Sequence, residues 1–269
     1  MSSRLLAMLL GTLLTLPTLA STPPAPSADS LLKLHQMRLA AQRSLGDFYM
    51  YNGMEGDQRY ARLIDESTQT ADARLNELGE MPGEASKALH AQLVQEWQSY
   101  HSELSGLVIS LKQKGYTDLQ PVADLTERNK RLLELSNELY AKIQQEGAAQ
   151  VPPLTQRSRD QSLLMQTIAV DYASRSASIG GSFMGSNGSK AIDELAGEFA
   201  SQLASLEKAP QNTPEIRQAL DGISTKWRYI EKSLKNYNEK SVPFLINKYS
   251  DRIIDGLEDV SARYSAVQS

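Results

Sequence analysis

Two arginines five residues apart, Arg38 and Arg43, stand in the stretch RLAAQR of a chain that otherwise offers little chemistry. A guanidinium presents a planar fork of N–H donors that suits a small oxyanion. On an otherwise apolar helix it has two uses. The stem can lie along the protein surface with the head in water, or the head can hold an anion beside the helix groove. At 100° per residue, a stripe centred on Leu34, Ala41 and Phe48 leaves Arg38 about 60° from its centre and Arg43 nearly opposite. Both readings stay open for Arg38, at the edge of the stripe. Arg43 is expected to meet solvent or another subunit.

Catalytic and metal chemistry finds no constellation. Of the three histidines, His90 and His101 share a helix face but lie about 16 Å apart along it, too far for one metal ion. His35, His90 and His101 are each expected at the surface or the core edge. The glycine-rich GGSFMGSNGSK (180–190) ends in lysine but lacks the strand and the Gly-Lys-Ser/Thr ending of a phosphate loop. It is expected to be a helix cap and turn. There is no Glu-x-x-His pair of the kind that binds metal inside helix bundles, and the carboxylates are scattered as on solvated faces. With no cysteine, neither a disulfide nor a thiolate metal site can form. No catalytic residue, metal ligand or cofactor is therefore expected, and the chain does not read as an enzyme. Its net charge of −4 argues against nucleic acid or an anionic membrane as the main partner.

The elements that would position the arginines read as helical throughout. Arg4, the apolar run Leu5 to Leu16 and the small residues Thr18 and Ala20 form a secretory signal peptide over 1–20, with cleavage after Ala20. The run is short for a membrane span of roughly 20 residues, so the mature protein is expected in the periplasm without stable membrane insertion. Residues 21–29 read as a flexible N-terminus. Spacings of three and four then predict helices from about 30 to the break NGMEG (52–56), and over about 57–78, 84–114 and 121–147. A linker at 148–153 precedes further helices over about 154–184, 189–207, 214–240 and 242–267.

The second half repeats the first. Gln42 is answered by Gln166, Trp97 by Trp227, and the segment starting at Pro121 by that starting at Pro243, at shifts of 124, 130 and 122 residues. Such landmarks in one order indicate duplication, and short loops make neighbouring helices antiparallel. The expected fold is all-α: two tandem up-down four-helix bundles, over 30–147 and 154–269.

RLAAQR resembles the Arg-Met-Leu-Ser-Gln-Arg core in the first helix of the N-terminal sensing domain of type IV pilus methyl-accepting transducers. Related four-helix modules occur in nitrate/nitrite sensor kinases. Arg38, Leu39, Gln42 and Arg43 fit the motif directly, and Ala40 and Ala41 are small replacements. QSLLMQTIAVDY (161–172) fits the same frame with Ser162 and Thr167 at the arginine positions. In the nitrate sensors the first arginine binds the anion where two subunits meet. The resemblance thus implies a ligand-binding role for Arg38, with Gln42 in the same motif, and a partner or dimer contact for Arg43. It implies a second half without an equivalent charged site. The expected function is a soluble periplasmic sensor-like or adaptor protein without an output domain of its own. It would bind a small ligand, an anion among the candidates, and/or an inner-membrane receptor, a periplasmic protein or an envelope complex, with a homodimer among its assemblies. The other reading is a purely structural interaction module of an envelope assembly such as pilus or secretion machinery.

Overall fold

The structure is a computed structural model and describes residues 26–178 and 190–268. The signal peptide expected at 1–20 and the glycine-rich segment to residue 189 lie outside the described residues. Those described are all-α: α1 (Pro26–Gly53), α2 (Gln58–Asn76), α3 (Glu84–Lys114), α4 (Leu119–Glu146), α5 (Pro153–Ala177), α6 (Ile192–Glu207), α7 (Pro214–Lys235) and α8 (Pro243–Gln268). No strand occurs among them, and no described helix is long and apolar enough to cross a membrane.

Breaks fall where turn chemistry demands them. Gly115, at φ +78°, closes α3 in a left-handed conformation that glycine adopts without a side-chain clash. Thr213 caps α7 by accepting from the Ile216 N–H, with Pro214 in the first turn. Three boundaries differ from expectation, and the largest difference is in α5, which ends at Ala177 rather than residue 184. Residues 26–29, placed in the flexible N-terminus, begin α1, where Asp29 pairs with Lys33 at 2.6 Å. α7 stops at Lys235, not residue 240. The Asn236–Lys240 segment is held against α5, where the Arg175 guanidinium lies 4.7 Å from the Tyr237 ring centroid and the Tyr172 hydroxyl donates to the Lys240 carbonyl at 3.4 Å; the Val242 N–H donates to that same hydroxyl at 2.9 Å.

Apolar periodicity becomes packing in two clusters. Leu34, Phe48, Ile64, Trp97, Leu104 and Leu132 belong to one, formed by α1 to α4; Phe199, Ile223, Trp227, Ile253 and Leu257 belong to the other, formed by α5 to α8. Within the first group α1 packs on α2 and α4, and α3 on α4; within the second α5 packs on α6 and α8, and α7 on both α6 and α8. α1 also packs directly on α5. Across that seam Leu39 joins the second cluster and Ala173 the first.

The seam is parallel and in register. Gln42 meets Thr167, Gly46 faces Val170, and Gly53 faces Ala177. The facing residues are thus 124 or 125 positions apart, matching the shift between Gln42 and Gln166. A Cβ on Gly53 would lie 3.2 Å from the Ala177 Cα, so the small residues allow a close backbone approach. This geometry overturns the picture of a helix with one apolar stripe and a wet back. No residue from Ala28 to Asn52 is exposed, because α1 is covered from both halves of the chain.

Candidate functional site

Arg38 lies inside the covered region, 4% exposed. Its Nη1 donates to Asn137 Oδ1 of α4 at 2.5 Å, and its Cζ sits 4.9 Å from the Tyr140 ring centroid, a cation–π contact. Its Nε–H has no acceptor. Burial pulls its pKa down, though a guanidinium stays charged at neutral pH. Gln42, one turn on and also buried, donates from Nε2 to Thr167 Oγ1 at 3.2 Å and leaves Oε1 unpartnered.

A second guanidinium joins Arg38. Arg159 of α5 is 5% exposed and donates from Nη1 to the Tyr140 hydroxyl at 3.4 Å; its Nε–H also lacks an acceptor. Tyr140 passes its own hydroxyl proton to Gln156 Oε1 at 2.7 Å. One phenol thus stands between two buried cations. The second half was expected to hold no equivalent charged site, yet it supplies a buried charge from a different position. Ser162 does occupy the matching position, but the charge enters one turn earlier, at Arg159. In the 124-residue frame Arg159 corresponds to His35, so a base stands at this position in both halves.

His35 is also corrected: it is fully buried, not at the surface or core edge. Its Nε2 lies 2.9 Å from Glu258 Oε1 of α8. Burial lowers the His35 pKa, and the positive charges of Arg38 and Arg159 act in the same direction against the pull of Glu258. The imidazole is therefore neutral at pH 7, donating to the carboxylate from Nε2. Burial raises the Glu258 carboxyl, but His35, the Ser162 hydroxyl and Arg159 together hold it below its ordinary value. The cluster thus carries two guanidinium charges against one directly engaged carboxylate. Asp160, exposed at its edge, adds a negative field on Arg38 that exceeds that of Glu258.

Arg43 takes another direction. It is a third exposed and faces α8, with Nε 3.7 Å from Asp251 and Nη2 3.8 Å from Asp255, both beyond hydrogen-bond reach. These neighbours belong to the same chain. With Glu66 of α2 and with Asp255 and Glu258 of α8, Arg43 lines a groove of about 370 Å³ floored by Leu39 and Ala40. Sequence reading also placed all carboxylates on solvated faces, which Asp47 contradicts. It is 2% exposed, its Oδ2 has no partner, and burial with nearby Asp251 pushes its pKa well up. It points into the joint of α1 with α2 and α8, a third face of α1 that a single stripe does not reveal.

Two buried guanidiniums from different halves of the chain, each with an Nε–H that lacks an acceptor, thus meet at this seam. Among the described residues no group of three or more His, Cys, Asp or Glu gathers to hold a metal ion. No protein-family model, no curated protein and no solved structure matches the chain.

Proposed function

We propose that this chain is an exported, sensor-like or adaptor protein of the bacterial envelope, built as two tandem up-down four-helix units. It binds a small anion at the seam between their first helices and passes that state to a membrane receptor or envelope complex. One observation carries the reading. Arg38 and Arg159 are brought together in the core from different halves of the chain, each with an Nε–H lacking an acceptor. Burying unsatisfied, like-charged donors destabilises a fold, and such a cost is commonly retained where a ligand completes the set. The packing of α1 to α4 and of α5 to α8 as two groups supports the tandem arrangement. The resemblance of RLAAQR to the pilus-transducer and nitrate-sensor motif supports the ligand class.

The test is thermal stability of the mature protein in nitrate, sulfate and acetate at constant ionic strength. A ligand at a hundred times its Kd adds about 2.7 kcal/mol of stability. Losing one charge-assisted contact costs about 1.5–3 kcal/mol, roughly tenfold to a hundredfold in affinity. Arg38→Met and Arg159→Met should each lose the anion-induced shift, and Arg43→Met should keep it. Absence of a shift with every anion would favour the second reading, a docking module for an envelope assembly. That reading draws on the exposed Ile109, Tyr116 and Leu119 around the α3–α4 turn.

A further inference from the structure

The arginine pair shares its site with a histidine–carboxylate pair, and the two are electrostatically joined. His35 and Arg38 come from α1, Arg159 from α5 and Glu258 from α8. The charges acting on His35 are those of Glu258, Arg38 and Arg159. Tyr140 of α4 and Asp160 of α5 complete the groups that face Arg38. With the imidazole neutral, Arg38 and Arg159 both oppose a proton on it and Glu258 favours one. An anion lying against the two guanidiniums would cancel much of their opposition. It would also set a second negative charge near Glu258. Both changes draw a proton onto the His35–Glu258 pair.

The pair meets solvent at Glu258. His35 has no exposed surface, but the Glu258 side chain is 26% exposed and lines the groove between α1, α2 and α8. Glu258 exchanges protons with solvent there; the proton that charges His35 settles on Nδ1, which has no partner, because Nε2 already carries the one it donates to Glu258 at 2.9 Å.

We propose that anion binding at Arg38 and Arg159 is coupled to uptake of a proton by the His35–Glu258 pair, so that the site fills as pH falls. The inference rests on the anion reading above and assigns it a regulation. Linkage is reciprocal: the anion makes the pair more basic, and the proton tightens the anion by the same factor. An ordinary histidine titrates near 6.5 and burial holds this one lower, so the coupling acts on the acidic side of neutrality. Complete coupling to one proton changes affinity about tenfold per pH unit.

Isothermal titration calorimetry with nitrate and with sulfate tests this, since neither anion changes protonation between pH 5 and 8. Each titration is run at three pH values in buffers of different ionisation enthalpy, which reads out protons taken up per anion bound. The expected result is uptake approaching one proton, with Kd rising as pH rises. His35→Gln should bind the anion with little uptake and a flat pH profile. Glu258→Gln, which keeps an acceptor for His35, should bind more tightly than the parent at pH 8. Binding by the parent with no proton uptake overturns the coupling and leaves the anion site standing; this holds whether or not either variant folds. Uptake that persists undiminished in folded His35→Gln assigns the proton elsewhere and also overturns it. Failure of both anions to bind the parent at any pH removes the anion site and the coupling with it.

Discussion

Replacing Arg159 by methionine should make the protein more stable while removing its ligand response. The guanidinium is 5% exposed, and its contact with the Tyr140 hydroxyl is long at 3.4 Å. Losing that contact costs about 0.5–1 kcal/mol. Removing an N–H that has no acceptor returns about 1–3 kcal/mol, and the repulsion with Arg38 also disappears. Glu258 loses one favourable charge but keeps the His35 hydrogen bond at 2.9 Å and its 26% exposure, so it is not left buried and alone. Methionine follows the same path with a flexible apolar chain. The balance is a gain of about 1–2 kcal/mol, within the range seen when buried ions yield to apolar residues. Urea unfolding followed by tryptophan fluorescence reads this directly, as Trp97 and Trp227 report from the two clusters. For a chain of this size, each kcal/mol corresponds to a Tm change of about 2–4 °C. A loss of 3 kcal/mol or more would show that Arg159 is a structural counterion of Glu258, and the reasoning from unsatisfied donors would fail.

Asp171 of α5 has its carboxyl pKa pushed up to about 6 by burial. A folded-state pKa above the unfolded value means stability present at low pH and lost as pH rises through about 6. Asp171→Asn should therefore gain about 1–3 kcal/mol at pH 8 and nothing at pH 4 in denaturant titrations; equal gains at both would refute the cause. The two tryptophans should respond unequally to phenylalanine. Trp97 donates from Nε1 to Asp72, whereas Trp227 Nε1 is buried without an acceptor and its ring packs tilted against Phe199 with centroids 4.3 Å apart. Trp97→Phe should be the more destabilising, by about 1–3 kcal/mol, and equal losses would mean that ring volume alone matters.

Helix positions were largely legible in the sequence because proline, glycine and capping residues punctuate it. Glu84–Lys114 and the starts near Pro153, Pro214 and Pro243 follow those signals. The interior of the site was legible only in part. Arg38 and Gln42 stood out by their spacing, but their depth did not, since periodicity within one helix cannot report a second group of helices packed on its other face. Arg159 was not legible because the positions matching Arg38 and Arg43 hold Ser162 and Thr167, and the charge sits one turn before the first of them. His35 and Glu258 lie 223 residues apart, and Asp47 is buried by helices from both halves; no local pattern announces such contacts.

The parallel, in-register seam has a consequence for symmetry. α1 and α5 lie as two copies of one helix would across a two-fold axis. In a dimer of identical chains, each residue near that axis faces its own copy, so any change is made twice. Here position 46 is glycine and its counterpart, Val170, is the branched side chain that fills the space beside it. Two glycines there would leave a gap, and two valines would collide. The same freedom lets Arg38 face a half that carries Ser162 in the matching place and Arg159 one turn away. Carrying both helices in one chain thus permits a lopsided cluster of charges on a nearly symmetric axis. It also fixes one such cluster per molecule, whatever the protein concentration.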